Sequence, residues 1–288
     1  MSPANSASPN TQSAVRAVAR RLAAAGVDTS GLDARLIVMH ATGMTHVELL
    51  REPERILSPG EAETVSRCAG RRAAREPLAR ILGHWNFFGL EFSLSAETLV
   101  PRPETEMVVE AGIELLAGVH APLIADAGTG SGCILLALLH ALPQASGTGT
   151  DQSAVAVDTA RKNARALGLD GRARFATTNW LDGINGVFDL VVSNPPYVMS
   201  GDIAGLEPEV RLHDPPAALD GGRDGFDAYR ILIPQVAERL KPGGWLVMET
   251  GSGQHNMVTS LLQDVGLVNI GTGRDMAGHE RIIQAQKP

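Results

Sequence analysis

Two stretches of this chain carry residue types that could do chemistry together. The first, Asp126-Ala127-Gly128-Thr129-Gly130-Ser131-Gly132, follows the apolar run Leu123-Ile124-Ala125 and leads into the apolar segment Cys133 to Leu142. Glycines at this spacing let the backbone turn tightly and bring N–H groups at a helix start against a ligand, a setting suited to a phosphate or a carboxylate. Asp151 closes the next strand, where an acid can take the hydroxyls of a ribose. Together they read as a nucleoside-cofactor site, and a structural turn beside a surface acid is the competing reading. The second stretch, Asn194-Pro195-Pro196-Tyr197, follows the strand-like run Phe188 to Val192, at the end of a parallel strand where ligands bind. It holds one of the 2 tyrosines of the chain, directly after a dipeptide that is otherwise common in loops.

The Asp-x-Gly-x-Gly-x-Gly spacing departs from the dinucleotide pattern G-x-G-x-x-G. It resembles motif I of the class I S-adenosylmethionine methyltransferases. That resemblance implies that Asp126, Gly128, Thr129, Gly130, Ser131 and Gly132 hold the methionine end of S-adenosyl-L-methionine, with Asp151 on its ribose, and leaves NAD as the second choice of cofactor. Beside such a methyl donor the Asn-Pro-Pro-Tyr corner has a chemical logic. A conjugated NH2 is a weak nucleophile because its lone pair is delocalised. Two acceptors on its two N–H bonds favour a pyramidal nitrogen and aim the lone pair at the methyl carbon. The Asn194 side-chain oxygen and the Pro195 carbonyl are the candidates, on a turn stiffened by proline's fixed φ and missing N–H. Tyr197 offers a face on which a flat group could stack. No base is needed before attack, since the nitrogen sheds its proton after gaining the methyl. Proximity and orientation then supply most of the acceleration, ~7–11 kcal/mol.

Longer segments narrow the family. The chain resembles the HemK-type release factor glutamine methyltransferases from its helical N-terminal region to its C-terminus. The resemblance is carried by Gly83 to Glu106 with its Leu99-Val100-Pro101-Arg102-Pro103-Glu104-Thr105-Glu106, by the glycine loop and Asn194 to Tyr197, by Glu207 to Arg211, by Leu219 to Gly225, and by Glu249-Thr250-Gly251 with Gln254. It implies methylation of the side-chain amide nitrogen (N5) of the glutamine in the Gly-Gly-Gln loop of peptide chain release factors. It places the cofactor on Gly128 to Gly132, Asp151, Trp180 and Asn194, and the substrate glutamine on Asn194 to Tyr197. Trp180 would pack beside the adenine or serve as a core tryptophan. Arg102, Glu104 and Glu106 would shape the substrate's approach or pair with one another at a helix start. Asn179 stands before Trp180 where relatives often carry Asp, and Arg211-Leu212-His213-Asp214 is less acidic than the family form. Three alternatives stand beside this reading: a ribosomal-protein glutamine methyltransferase, an adenine amino-methyltransferase on nucleic acid, and a non-catalytic cofactor-binding module.

The elements that must position these residues follow from the rest of the chain. Of 288 residues, 44% are hydrophobic and 20% charged, the profile of a globular protein. A net charge of -7 argues against a protein that grips a nucleic-acid duplex, whose phosphates need a basic face. The 2 cysteines form no disulfide or zinc pattern, which suits a reduced, cytoplasmic setting. The 8 histidines show no ligand spacing, so no metal site is expected. No apolar run reaches the ~18 residues of a membrane span.

Residues 1–12 read as a disordered tail. Residues 13–80 read as a small all-α domain for partner docking, with a helix capped at Ser58-Pro59-Gly60-Glu61. Its basic stretch, Arg71, Arg72, Arg75 and Arg80, would be a solvated face or a docking face. Residues 81–99 read as a β-hairpin linker, whose Trp85, Phe87, Phe88 and Phe92 would serve interdomain packing. Residues 100–288 alternate strand and helix, the mark of an α/β parallel sheet with helices on both faces. Strands are expected near Leu123, Gly147, Arg174, Phe188 and Trp245, with closing strands near Val268 and Arg281. Helices are expected over 133–142, 154–167, 229–240 (stopped by Pro242-Gly243-Gly244) and 258–262. The class I resemblance makes this a Rossmann-like, mostly parallel seven-stranded sheet forming an S-adenosylmethionine-dependent methyltransferase domain.

Overall fold

A computed structural model of the chain describes residues 9–288. The tail expected over 1–12 lies outside the described residues as far as residue 8, and Thr11 and Gln12 already belong to the first helix. In chain order the helices are α1 (Thr11–Ala24), α2 (Ser30–Thr42), α3 (His46–Arg51), α4 (Pro59–Ala73), α5 (Leu78–Leu82), α6 (Glu106–Leu115), α7 (Cys133–Ala141), α8 (Ala154–Ala166), α9 (Pro208–Arg211), α10 (Asp227–Arg239) and α11 (His255–Asp264). The strands are β1 (His84–Phe87), β2 (Leu90–Ser93), β3 (Leu123–Ala127), β4 (Ser146–Asp151), β5 (Ala173–Thr177), β6 (Phe188–Ser193), β7 (Leu240–Glu249), β8 (Val268–Arg274) and β9 (Glu280–Gln286). The chain divides into two units: one runs to Gly83 and takes in Glu207–His213, and the other comprises His84–Leu206 and Asp214–Pro288.

The helical unit shows why its sequence folds locally. Thr45 and Ser58 each accept an N–H from the third residue of the helix they open, while Glu48 and Glu61 reach back to the cap amides. Pro59 opens α4, where its missing N–H costs nothing. Val18, Leu22, Ile37, Val38 and Val65 form the core. Three of the four arginines of the basic stretch are paired with acids of this unit. Arg72 is buried between Asp33 (2.7 Å) and Glu209 (2.8 Å). Arg75 holds Glu209 (2.6 Å) and Glu207 (2.9 Å), and Arg71 holds Glu76. Acids five to more than a hundred residues away in sequence neutralise these guanidiniums, so local spacing could not show it.

In the second unit the sheet order is β5-β4-β3-β6-β7-β9-β8. The first five strands are parallel, and β9 runs antiparallel to both β7 and β8. This is the mostly parallel seven-stranded sheet that the sequence leads one to expect. Successive residues of β6 alternate between two cores: Leu190 and Val192 face one, Val191 the other. The first core takes α6 through Val108 and Val109, and α7 through Leu135, Leu136, Leu138 and Leu139. The second takes Tyr229, Leu232, Ile233 and Val236 of α10 with Val258 and Leu262 of α11.

Three expectations change. Phe87 and Phe92, meeting edge-on at 6.2 Å, pack into the first core of the sheet unit rather than serving interdomain packing. The Ser93 amide and Asn163 of α8 bond at 2.9 Å and fasten the hairpin there. Helix α6 carries the possible helix start at Glu106 on as far as Leu115, a helix that the expected strand and helix pattern did not include. Strand β7 begins at Leu240 rather than Trp245, because Pro242-Gly243-Gly244 ends the helix but the chain continues pairing through a register shift beside Phe188. Among the described residues no helix is long and apolar enough to cross a membrane.

Candidate active site

The glycine bend joins the C-terminal end of β3 to α7. Gly128 and Thr129 donate their amides to the Thr150 carbonyl at 2.9 and 2.7 Å, which pins the bend to the end of β4. Gly128 and Gly130 lie at φ of +76° and +54°, where L side chains are strained. A Cβ on Gly128 would also come within 3.2 Å of the Trp180 ring. The Asp151 carboxylate accepts the Gly130 amide and the Ser153 amide, each at 2.9 Å. Burial raises its pKa, and those amides pull it back. Asp126 is wholly buried beneath the bend and accepts the Thr129 hydroxyl at 2.6 Å. Burial pushes its carboxyl up to about 7, against the pull of the Thr129 hydroxyl and the Leu135 amide.

The second corner is built at the ends of β6 and β7. The Ser193 hydroxyl donates to the Ala127 carbonyl at 2.6 Å and so ties β6 to the start of the glycine bend. Asn194 donates its Nδ2 to the Thr105 hydroxyl oxygen at 3.2 Å. Thr105 donates in turn to Glu249 Oε2 at 2.6 Å, and the Tyr197 hydroxyl donates to Glu249 Oε1 at 3.1 Å. Glu249 ends β7 and is only 3% exposed. Burial raises its pKa, while the Thr105 and Tyr197 hydroxyls lower it. The Tyr197 phenol is pushed up by its own burial and by the neighbouring carboxylate. Behind the corner, Gln254 donates to the Tyr197 carbonyl at 2.9 Å, and the Tyr229 hydroxyl reaches Gln254 Oε1 at 3.3 Å. The Gly221 amide bonds the Val198 carbonyl at 2.8 Å. A Cβ on Gly221 would sit 2.8 Å from the Tyr197 Cα, so the chain can lie flat against the Pro-Pro-Tyr turn there only with glycine at 221.

A cleft of about 790 Å³ brings the two corners together. Gly128, Thr129, Gly130, Ser131, Asp151, Trp180, Asn194 and Pro196 all line it, with Asn179 beside Trp180. Asp126 and Gly132 do not: Asp126 braces the bend from below, and Gly132 packs against Ala160, where a Cβ would come within 3.1 Å of the alanine methyl. Pro195 is buried, and the half-buried Tyr197 ring packs against the second core with its hydroxyl on Glu249. Arg102, Glu104 and Glu106 are not among the described residues that line the cleft. Arg102 pairs with Asp214 at 2.9 Å, and Glu106 accepts the Phe88 amide of the hairpin at 2.7 Å. Sequence reasoning gave no role to Thr105 or Glu249. The available signal was an acid ending the apolar strand Trp245 to Met248 at the ligand end of the sheet.

Known proteins resemble this chain over nearly its whole length. Residues 13–83 match the family model described as PrmC N-terminal domain, and residues 109–206 match that of the methyltransferase small domain. The chain is 50% identical to the release factor glutamine methyltransferase of Bradyrhizobium diazoefficiens, over 96% of this chain and 94% of that protein. It is 48% identical to the protein of that name in Rhodospirillum rubrum, over 93% and 82%. Among solved structures it resembles a methyltransferase from Pyrococcus furiosus (TM-score 0.51, 16% identity, 77% of this chain and 98% of that one). It also resembles the T. thermophilus 16S rRNA N2 G1207 methyltransferase (TM-score 0.51, 20% identity, 71% and 50%). The fold is that of a class I methyltransferase, an enzyme class that uses S-adenosyl-L-methionine. Within that class, the extent and level of identity place the chain in the release factor glutamine methyltransferases, to which it belongs.

Proposed function

We propose that this enzyme transfers a methyl group from S-adenosyl-L-methionine to N5 of the glutamine in the Gly-Gly-Gln loop of peptide chain release factors, in the cytoplasm. The observation that carries the reading is the placement of Asn194: it shares one cleft with the glycine bend and Asp151, and its NH2 is already committed to Thr105. The residues fit the cofactor. Gly128 and Gly130 leave backbone where a side chain would intrude, Asp151 keeps lone pairs beyond those its two amides use, and Trp180 gives the cleft an aromatic wall.

When bound, S-adenosyl-L-methionine supplies an electrophilic methyl group on a sulfonium. The chain's own residues do the rest. The Asn194 oxygen accepts one N–H of the glutamine carboxamide and the Pro195 carbonyl accepts the other, which directs the nitrogen lone pair. The buried Pro195 and the hydrogen-bonded Tyr197 keep that turn from relaxing. The amide nitrogen sheds its proton after it has gained the methyl, so neither Asn194 nor a neighbour has to act as a strong base. The net charge of -7 speaks against nucleic acid as the substrate.

The test is to incubate the purified chain with S-adenosyl-L-methionine and a release factor, and to map the product by peptide mass spectrometry. One methyl on the Gly-Gly-Gln glutamine is expected. An unlabelled Gly-Gly-Gln peptide, with the methyl on a ribosomal-protein glutamine or on nucleic acid, would overturn the reading.

A further inference from the structure

We propose that Glu249 and Thr105 are positioning residues for methyl transfer: through a two-bond relay they hold the Asn194 carboxamide with its oxygen, not its NH2, toward the acceptor nitrogen. This rests on the reading of Asn194 as the acceptor for the substrate amide.

A carboxamide has two nearly isosteric ends, one that donates and one that accepts. Only the accepting end can take an N–H from a glutamine amide. A turn that places Asn194 correctly but leaves it free to rotate would present the wrong end for part of the time. The structure removes that freedom in two steps. Glu249 is 3% exposed and its carboxylate takes two hydroxyl donors, Thr105 at 2.6 Å and Tyr197 at 3.1 Å. A hydroxyl has a single proton, and Thr105 gives it to Glu249. Its oxygen is then left only with lone pairs for Asn194, so the group facing it at 3.2 Å must be the NH2. Thr105 stands on the cleft wall but is only 2% exposed, so little solvent competes for that bond. The direction of the relay is thus set by Glu249, whose two oxygens each accept a hydroxyl.

The three members come from separate elements. Thr105 closes the turn before α6, Asn194 follows β6, and Glu249 ends β7. The parallel register of β6 and β7 sets Ser193 opposite Met248, which brings Asn194 and Glu249 to the same end of the sheet. The proximal charges around Glu249 are Glu104 and Arg281, of opposite sign. The relay also gives a purpose to the Pro101 to Glu106 segment, whose Arg102 and Glu106 are spent on Asp214 and the Phe88 amide.

The experiment compares single-turnover transfer to a release factor at saturating cofactor for Thr105→Val, Thr105→Ser and Asn194→Ala. Cofactor affinity is measured by calorimetry and folding by thermal melting. Thr105→Val keeps the shape but loses the hydroxyl, and should slow transfer about 100-fold, the scale of a misplaced reacting group. Its cofactor affinity should stay near wild type. Thr105→Ser should recover most of the rate, which a purely packing role for the threonine would not produce. Wild-type transfer by Thr105→Val alongside an inactive Asn194→Ala would overturn the relay and leave the Asn194 reading standing. Full activity of Asn194→Ala would remove that reading and the relay with it. Should Thr105→Val fail to fold, Glu249→Gln gives the same information. The amide it introduces can donate to Thr105, turn the hydroxyl proton toward Asn194 and slow transfer. An unslowed rate in that variant overturns the proposal.

Discussion

In the helical unit Asp33, Glu61 and Glu209 face arginines, whereas at the ligand end of the sheet Asp126, Asp151 and Glu249 face amides and hydroxyls. Glu209 loses hydration, which alone would raise its pKa, but the Arg75 and Arg72 guanidiniums outweigh that and hold it at about 2. Glu61 is likewise held at about 2 by Arg55 and the Ser58 amide. Among the described residues, Asp126, Asp151 and Glu249 bond amides and hydroxyls in place of arginines. Burial dominates and raises all three, Asp126 to about 7. The helical unit uses carboxylates to neutralise buried cations. In the sheet unit Asp214 likewise neutralises Arg102, but three other acids orient neutral dipoles: Asp126 and Asp151 fix the bend, and Glu249 fixes the corner where Asn194 works. An acid that orients a dipole leaves the adjacent cleft without a fixed cation, which suits a cofactor that itself carries a positive sulfonium.

The contrast can be broken first in the helical unit. Glu209→Gln leaves Arg72 with Asp33 alone and Arg75 with only Glu207. It should destabilise that unit by about 3 kcal/mol, the lower end for opening a buried ion pair. Faster amide hydrogen exchange in α4 at pH 7 would show it, and unchanged exchange would deny that these pairs matter. Glu209's contribution is present above about 4.5, its ordinary value, and is lost as pH falls toward about 2.

A smaller effect is expected at the bend. Gly128→Ala must place a side chain at φ of +76° and 3.2 Å from Trp180. A strain of about 1–2 kcal/mol predicts cofactor binding weakened roughly ten-fold, read by calorimetry. Smallest is a difference in slope. Asp126 is raised on folding from 3.8 to about 7, so its contribution is full below its unfolded pKa and is lost as pH rises through about 7. Between about pH 4 and about pH 7 Asp126 should cost the sheet unit stability with a slope on the order of 1 kcal/mol per pH unit. Asp126→Asn should flatten that slope in urea unfolding curves. A slope of the same sign and size in both proteins would show that the contrast between the units is not set by this acid.

Much of the architecture was legible in the sequence. Alternating apolar runs around Leu123, Phe188 and Trp245 announced parallel strands, and Ser58-Pro59-Gly60-Glu61 announced the start of α4 because capping is a local event. The glycine bend was legible because only glycine tolerates its backbone angles, and that constraint is written in the residue type. What could not be read is long-range pairing. The partners of Arg72 lie at Asp33 and Glu209, and those of Asn194 at Thr105 and Glu249, joined only when β6 and β7 come into register. Thr105 looked like one residue of a family segment. Its chemistry appears only when Asn194 is seen on one side of its hydroxyl and Glu249 on the other. Asp126 was misplaced for a related reason: its position in the loop pattern suggested contact with the ligand, whereas the β3 pleat turns it inward beneath the bend.

The central claim is that Asn194 accepts from the reacting amide rather than merely helping to hold the cofactor. Asn194→Ala, followed by single-turnover transfer to a release factor and by cofactor titration on the same preparation, tests it most directly. The account predicts a loss of about 1,000-fold in transfer, the scale for removing one preorganised polar group from a reacting site, with cofactor affinity close to wild type. Transfer falling only in proportion to weakened cofactor binding, or not falling at all, would contradict it.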